Sequence, residues 1–274
     1  MRSGLLFCFM LFVSSCLYAQ VYPLDPNDPI PDRFISIGPE AGVVSLVGNL
    51  KETDFIRGDV SSYQGYYYGY GYDNFSTVAC SGFRNFYGIK AEMALSEKIS
   101  ISSGLRFIWS ETNAGKDKYD GSSAWFYWLW KEDQTSSDYL RVSNFSQTSY
   151  YLGIPVEGKL YLEFLRGSFF RCYAKVGAEF NFLLADNAQV TLMDETMQIH
   201  ENDLVKQIPE PGSFNSCLYG AGGITIGKRN TFNFEVLMPF GVLGKQSNTL
   251  ISQTIGTGLK IDFMIPVKKL NNEK

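Results

Sequence analysis

The chain is poor in the residues from which most enzyme and metal sites are built. It holds one histidine, His200, and five cysteines in 274 residues, and only 19% of its side chains are charged. A single histidine excludes multi-histidine metal centres, and no two cysteines have the spacing of a zinc or redox motif. There is no run of lysine and arginine, and the sequence pI is near 5.2, so nucleic acid is not an expected partner. Past the leader, no stretch reaches the roughly eighteen consecutive apolar residues that a membrane helix needs. Strands remain as a way to cross a bilayer. What the chain has instead is 15% aromatic residues and 26 glycines, a composition for strands and turns.

Residues 1–19 combine Arg2, an apolar core from Leu5 to Val13 and small residues before Ala19. That is the pattern of a secretory signal peptide cut after Ala19. Cys16, after Val13, Ser14 and Ser15, offers lipoprotein processing as the rival. Without residues 1–19 the chain keeps 23 basic and 28 acidic residues, a net charge of −5, and three cysteines: Cys80, Cys172 and Cys217. Whether Cys80 and Cys217 are bridged stays open at this point. Residues 20–33 hold four prolines and three aspartates and read as an extended periplasmic lead-in. Asp25, Asn27 and Asp28 lack the glycine and spacing of a known calcium loop.

From Phe34 onward one pattern recurs. In the hairpin Asn85–Trp109, Tyr87, Ile89, Ala91, Met93 and Leu95 share a face that Ile99, Ile101, Ser103, Leu105, Phe107 and Trp109 continue. The opposite face carries Gly88, Lys90, Glu92, Ser100, Ser102, Gly104 and Arg106. Eight such segments are predicted: 34–47, 85–96, 98–110, 148–164, 168–184, 216–228, 230–243 and 253–267. Each exceeds the roughly ten residues a tilted strand needs to cross a bilayer. Tight turns follow the second, fourth and sixth segments; long connections follow the first, third and fifth, and a shorter one the seventh.

Alternation alone does not say which face is inside. The polar face is rich in small residues, among them Ser36, Gly38, Gly42, Gly153, Gly177, Gly223, Gly256 and Gly258, as suits a narrow barrel interior. Its charges nearly balance and can pair: Glu40, Lys90, Glu92, Arg106, Glu157, Lys159, Glu163, Arg171, Lys175, Glu179, Glu235, Lys260 and Asp262. The apolar face has no charge and ends in aromatic residues such as Trp109, Tyr151, Phe164, Phe232 and Phe263, as a lipid interface requires. The expected fold is all-β: an eight-stranded antiparallel transmembrane β-barrel over 34–267, with short periplasmic turns, long extracellular loops and a polar tail at 268–274. Outer-membrane lipids are its expected surroundings. A soluble exported barrel binding an apolar ligand is the alternative architecture.

Certain segments add a resemblance. The leader ending Ala19-Gln20, the opening FISIGPEAGV, the middle SYYLGIPVEGKLYL and the last strand GTGLKIDFMI are similar to the PorT-like outer-membrane β-barrel family of Bacteroidetes-type bacteria. The likeness covers about residues 34–267. Its most specific part is Tyr151-Leu152-Gly153-Ile154-Pro155-Val156 with Lys159, against a family strand of the form YLxIPxxxK. Gly258–Phe263 resembles the terminal strand read by the barrel insertion machinery, although eleven residues follow Phe263. The resemblance implies a barrel in the outer membrane; family members differ in role, some being linked to secretion or gliding.

Chemistry is sparse. Gly222–Lys228 approaches a phosphate-binding loop, but Arg229 stands where Ser or Thr is needed and the motif falls between two strands. His200, beside Glu201 and Asp203 in the connection 185–215, is the one candidate for an outer-membrane lipid- or ester-cleaving activity, and a solvated loop histidine is the plainer reading. No catalytic, cofactor or metal residue is assigned, and no cofactor is expected. The tract Ser61–Phe75, with Tyr66, Tyr67, Tyr68, Tyr70 and Tyr72, and the run Trp125–Trp130, with Trp125, Trp128 and Trp130, are candidate surface contacts for another envelope protein or a surface ligand; loops folded on one another, or rings resting at the outer interface, are the alternative. The function expected is therefore non-enzymatic: surface interaction, or an accessory role in the envelope or secretion.

Overall fold

The computed structural model describes residues 34–50, 56–57, 79–115, 126–130, 138–166, 170–208, 212–227, 230–243, 250 and 256–269. The expected signal peptide and lead-in lie outside the described residues, as do residues 270–274 of the expected tail and Tyr66, Tyr67, Tyr68, Tyr70, Tyr72 and Trp125; Lys268 and Lys269, placed in the tail, instead end the last strand.

Among the described residues ten strands form: β1 (Phe34–Asn49), β2 (Ile56–Arg57), β3 (Ala79–Ala94), β4 (Ile99–Gly115), β5 (Phe126–Trp130), β6 (Asp138–Arg166), β7 (Phe170–Leu192), β8 (Phe214–Ile226), β9 (Thr231–Leu243) and β10 (Gly258–Lys269). Eight of them pair antiparallel in the order β6-β4-β3-β1-β10-β9-β8-β7, and β7 pairs back onto β6. The sheet closes on itself, which leaves no free edge in the ring. The strands β2 and β5 stand outside it: β2 pairs with β5, and β5 with the start of β6.

Period-2 alternation sets the two faces. On β4, Ser100, Ser102, Arg106 and Ile108 are buried, while Ile99, Ile101, Leu105 and Phe107 are exposed. On β7, Tyr173, Lys175, Glu179 and Asn181 are buried, and Phe170, Val176, Phe180 and Phe182 are exposed. The outside is therefore apolar and the inside charged, the transmembrane sense of a barrel and the reverse of a soluble one. Rings gather on the outer surface toward the long-loop end: Phe83 meets Trp109 edge-on, Phe107 stacks on Tyr150, and Phe214 lies between Phe180 and Phe182. Such a girdle suits the boundary between acyl chains and headgroups.

One lipid-facing polar residue has a local cause. The β4–β6 ladder runs from Ile99↔Leu160 to Ser103↔Val156 and resumes at Arg106↔Gly153. Pro155, which has no N–H, sits in the gap. The Ser103 hydroxyl donates to the Pro155 carbonyl at 2.8 Å and satisfies an acceptor within the belt.

Above the girdle the strands continue. β6 has 29 residues and β7 has 23, far more than a crossing needs. After β7 the chain makes a 3₁₀ turn, Glu195–His200, and a short helix α1, Glu201–Lys206. Asp194 caps the turn: the Thr196 hydroxyl and backbone N–H donate to its carboxylate, which holds its pKa below the usual value.

Candidate functional site

Inside the barrel, at the level of the apolar belt, the inward side chains form one ionic network. Arg106 is its hub. Its Nε and one terminal nitrogen reach both oxygens of Glu40, at 2.5 and 3.0 Å, and the guanidinium also meets Glu157 at 2.8 Å and Glu179 at 2.6 Å. The Phe86 ring lies 4.7 Å from the guanidinium carbon. Lys260 bridges Glu40 at 2.8 Å, with Glu157, Glu235 and Asp262 farther off. Lys175 pairs with Glu235 and, at 3.1 Å, with Glu157. Lys90 lies between Glu92, Glu157 and Asp262, at 3.3–3.4 Å from each. Lys159 pairs with Glu92 at 2.9 Å, nearest the turn end.

Neutral groups complete the shell. Ser100 donates to Glu92, Ser102 and Tyr219 to Glu157, Tyr173 to Glu235, and Asn233 to Asp262. Charges withdrawn from water cost several kcal/mol each unless paired and hydrogen-bonded, and these meet that condition. They can do so because seven of the eight ring strands contribute, three charges coming from β3, one or two from each of β1, β4, β6, β7, β9 and β10, and the Tyr219 hydroxyl from β8.

Two residues of the predicted interior set stand apart. Arg171 is half-buried at the turn end, its guanidinium over the Tyr161 ring at 4.5 Å, and joins no ion pair among the described residues. The side chain of Glu163 lies outside the described residues. Conversely, Arg84 was not foreseen. It pairs with Glu179 and donates to Asn181 at 3.2 Å. Its strand begins at Ala79, six positions before the 85 expected for it. With Arg84 counted, the bridged set among the described residues is neutral: Glu40, Glu92, Glu157, Glu179, Glu235 and Asp262 against Arg84, Lys90, Arg106, Lys159, Lys175 and Lys260.

The interior changes character upward. Val44, Phe86, Ile108, Tyr151, Tyr219 and Leu237 pack as an apolar layer over the charges. Higher still, at the loop end, a second and larger cluster joins Leu50, Ile56, Cys80, Ala114, Phe126, Trp128, Leu140, Val142, Phe145, Val190, Leu192, Leu204 and Leu250. Its members come from β2, β5, the extended ends of β3, β4, β6 and β7, and α1, with Leu50 just after β1 and Leu250 from the connection before β10. Trp128 is fully buried there and donates its indole N–H to Gln207 at 3.1 Å. It is therefore not an exposed contact: alternation along β5 turns Phe126 and Trp128 to the cap interior. Trp130 pairs with Asp138 through the backbone, and its side chain lies outside the described residues.

The outer surface changes in the opposite sense at the same height. Past Trp109, Tyr150 and Leu184, the outward residues are Glu111, Asn113, Thr148, Ser146, Asn144, Asn187, Gln189 and Thr191. Below that line the wall is apolar outside and charged inside; above it the outside is polar, while the inside passes through a polar step, where Gln147 and Ser149 donate to Asp186, into the apolar cap. The inversion marks where lipid gives way to water.

The remaining expectations resolve simply. Cys80, Cys172 and Cys217 form no disulfide, so no Cys80–Cys217 bridge exists. His200 ends the 3₁₀ turn and is half-buried, and no side-chain bond of His200 caps α1. Among the described residues no group of His, Cys, Asp and Glu could hold a metal ion. In the Gly222–Gly227 run, Gly227 takes φ +110 at the end of β8, where an added Cβ would strike the Asn230 carbonyl at 2.2 Å. These glycines serve strand and turn geometry.

No protein-family model matches the chain, and none of the curated proteins does. Among solved structures it is similar to the outer membrane protein OprG from Pseudomonas aeruginosa, at 10% identity over 86% of this chain and 96% of that one, with a TM-score of 0.40. It is also similar to the N-terminal β-barrel domain of OprF from Pseudomonas aeruginosa, at 8% identity over 83% and 99% of the two chains, with a TM-score of 0.27. A third likeness is to the translocator domain of the autotransporter NalP from Neisseria meningitidis, at 8% identity over 96% and 97%, with a TM-score of 0.23. At these scores the likenesses add nothing to what the barrel's own geometry establishes.

Proposed function

We propose that this chain is an outer-membrane barrel of the PorT-like kind that acts without catalysis, as a surface-interaction or envelope-accessory component working through the structure above its membrane belt. The observation that carries the reading is the inversion of polarity along β4, β6 and β7 at the level of Trp109 and Tyr150. A soluble barrel would keep one sense throughout. The likeness of FISIGPEAGV and YYLGIPVEGK to the PorT-like family supports the location, and the signal-peptide pattern at 1–19 supports export. The filled interior speaks against a solute pathway: an ionic network, an apolar layer, the polar step of Gln147, Ser149 and Asp186, and the apolar cap succeed one another along the axis. Function is then left to the cap and the long connections.

The test is refolding of the chain without residues 1–19 into lipid vesicles, with electrophoresis before and after boiling, and fractionation of cells. A folded barrel runs at a different mobility until boiled and is found in the outer-membrane fraction. Identical migration, together with recovery in the soluble periplasmic fraction, would sink the membrane reading. Steady ion conductance through single molecules in a planar bilayer would sink the sealed, non-transporting part of it.

A further inference from the structure

Three strands carry a wall of polar side chains, all but one uncharged, directly above the lipid belt, and its rows can be read from the register. The girdle row is Trp109↔Tyr150↔Ala185. Above it come Glu111↔Thr148↔Asn187, then Asn113↔Ser146↔Gln189, then Gly115↔Asn144↔Thr191. These residues face outward, since the alternate ones in the same strands, Ala114, Phe145 and Val190, are buried in the cap. Asn187, Gln189 and Thr191 are exposed, and the β4 and β6 members half-buried.

The wall is continuous with the lipid-facing surface, so what covers it stands on top of the acyl chains. We infer that it binds the neutral sugar headgroups of outer-leaflet glycolipids, an inference that rests on the membrane reading above. Two features select that occupant. The first is height: a two-residue step is about 6.7 Å along a strand, or ~5 Å along the membrane normal at a tilt near 45°, so three rows rise about 15 Å. A phosphoglycerol headgroup layer is only about 5–7 Å thick and would leave the upper rows bare. Headgroups built from linked sugars reach that far. The second is chemistry: apart from Gly115 the rows offer hydroxyl and carboxamide groups, which both donate and accept, and a single charge, Glu111, to which Asn113 donates at 3.4 Å. With no cation in the three rows, phosphate meets no opposite charge, whereas sugar hydroxyls match donor to acceptor at each position. Arg141, the first basic residue on this side of β6, comes above them.

The experiment uses the chain without residues 1–19 in phosphatidylcholine vesicles, alone or with a minor fraction of digalactosyl diacylglycerol or of phosphatidylglycerol. The digalactosyl lipid raises the midpoint of the heat-induced mobility change by several degrees, and phosphatidylglycerol does not. The outward double variant Asn187→Ala with Gln189→Ala loses most of the rise. If that variant fails to insert, Gln189→Glu, which keeps the side-chain shape and adds a second carboxylate, carries the same expectation. A photoactivatable digalactosyl lipid labels peptides containing 144–148 and 187–191. No rise for the folded wild-type barrel, an equal rise in the variants, or a rise with phosphatidylglycerol alone would overturn the sugar-binding wall and leave the membrane reading intact. Absence of any boiling-dependent mobility change would overturn both.

Discussion

Tyr219 lies in the space that a β-carbon on Gly177 would fill. The two residues are direct cross-strand partners, and an added Cβ would stand 2.6 Å from the ring Cζ and 2.8 Å from the hydroxyl. The same strands repeat the arrangement in reverse. Tyr173 of β7 lies over Gly223 of β8, again its register partner, with its hydroxyl 2.6 Å from the notional Cβ. Each glycine lets a tyrosine lie across the neighbouring strand and reach a carboxylate: Tyr219 donates to Glu157 at 2.6 Å and Tyr173 to Glu235 at 2.8 Å.

From this the effect of a single methyl group follows. Gly177→Ala and Gly223→Ala each push a ring off its carboxylate and are expected to cost ~1–3 kcal/mol, as overpacking of a filled interior does. Gly158→Ala and Gly222→Ala are the controls, since an added Cβ there meets nothing within 4 Å. Urea unfolding in vesicles, followed by the loss of the fast-migrating form, measures all four. Equal effects at the two classes of glycine would contradict the tyrosine-over-glycine account.

Arg106 gives the second prediction. It serves Glu40, Glu157 and Glu179 together, so Arg106→Met leaves three carboxylates facing an incomplete set of cations. Breaking a buried ion pair by removing one partner costs ~3–5 kcal/mol, and a hub falls at the upper end of that range. Arg106→Lys keeps the charge but loses the two-pronged contact with Glu40 and is expected to recover only part of the loss. By contrast, Lys206→Ala removes the exposed pair with Asp203 at 2.7 Å and is expected to leave barrel stability unchanged. A wild-type unfolding midpoint for Arg106→Met would remove the network from any structural role.

Ser103 is the subject of the third. Its hydroxyl is the donor to the Pro155 carbonyl where the β4–β6 ladder is interrupted. Ser103→Ala adds apolar surface to the belt yet leaves that acceptor without its donor in a medium with no water to replace it. The acceptor dominates, and a net destabilisation of about 1 kcal/mol is expected. Stabilisation in the same urea assay would show that the lipid-facing methyl outweighs the lost bond.

The belt was legible in the sequence because its strands alternate apolar and polar residues over long runs; the cap was not, because the period slips on β7 and the contrast between faces fades on β6. Below the bulge, β7 turns odd residues inward, from Tyr173 to Asn181 and on to Leu183. At the shift between Tyr150↔Ala185 and Tyr151↔Leu183 one residue is skipped, and Ala188, Val190 and Leu192 turn inward instead. A count of alternation therefore stops at 184, where the expected strand ended. On β6 the alternation runs on from Tyr151 to Phe145, but polar residues stand on both faces there, Ser149 and Gln147 inside and Thr148 and Ser146 outside, so its start was placed at 148 although it lies at 138. The charges were legible as a balanced set, but their partners were not. Glu157 on β6 meets Lys90, Arg106, Lys175 and Lys260, which come from four other strands. Arg84 escaped for a simpler reason: it sits one residue before the expected start of its strand. The aromatic run Trp125–Trp130 looked adhesive because nothing in its own sequence shows which alternate rings a neighbouring strand will cover.

Trp128 separates the cap from the barrel. Its ring packs near Phe145 at 6.3 Å between centroids, within a cluster that shares no buried member with the apolar layer beneath it. The cap stands above the lipid boundary, where the hydrophobic effect of water holds it together, while the belt below is held by lipid, ladder bonds and the ionic network. Two parts with different cohesion can open separately. Trp128→Ala removes a fully buried indole and is expected to cost the cap ~3–5 kcal/mol. The barrel below should keep its boiling-dependent mobility. Limited proteolysis of the refolded protein in vesicles checks both halves at once: new cleavage within 116–137 and 193–213, with a protected membrane-embedded remainder. A variant that loses the mobility change along with the cap would show that cap and barrel fold as one unit, and that the loop-end cluster is needed to close the ring.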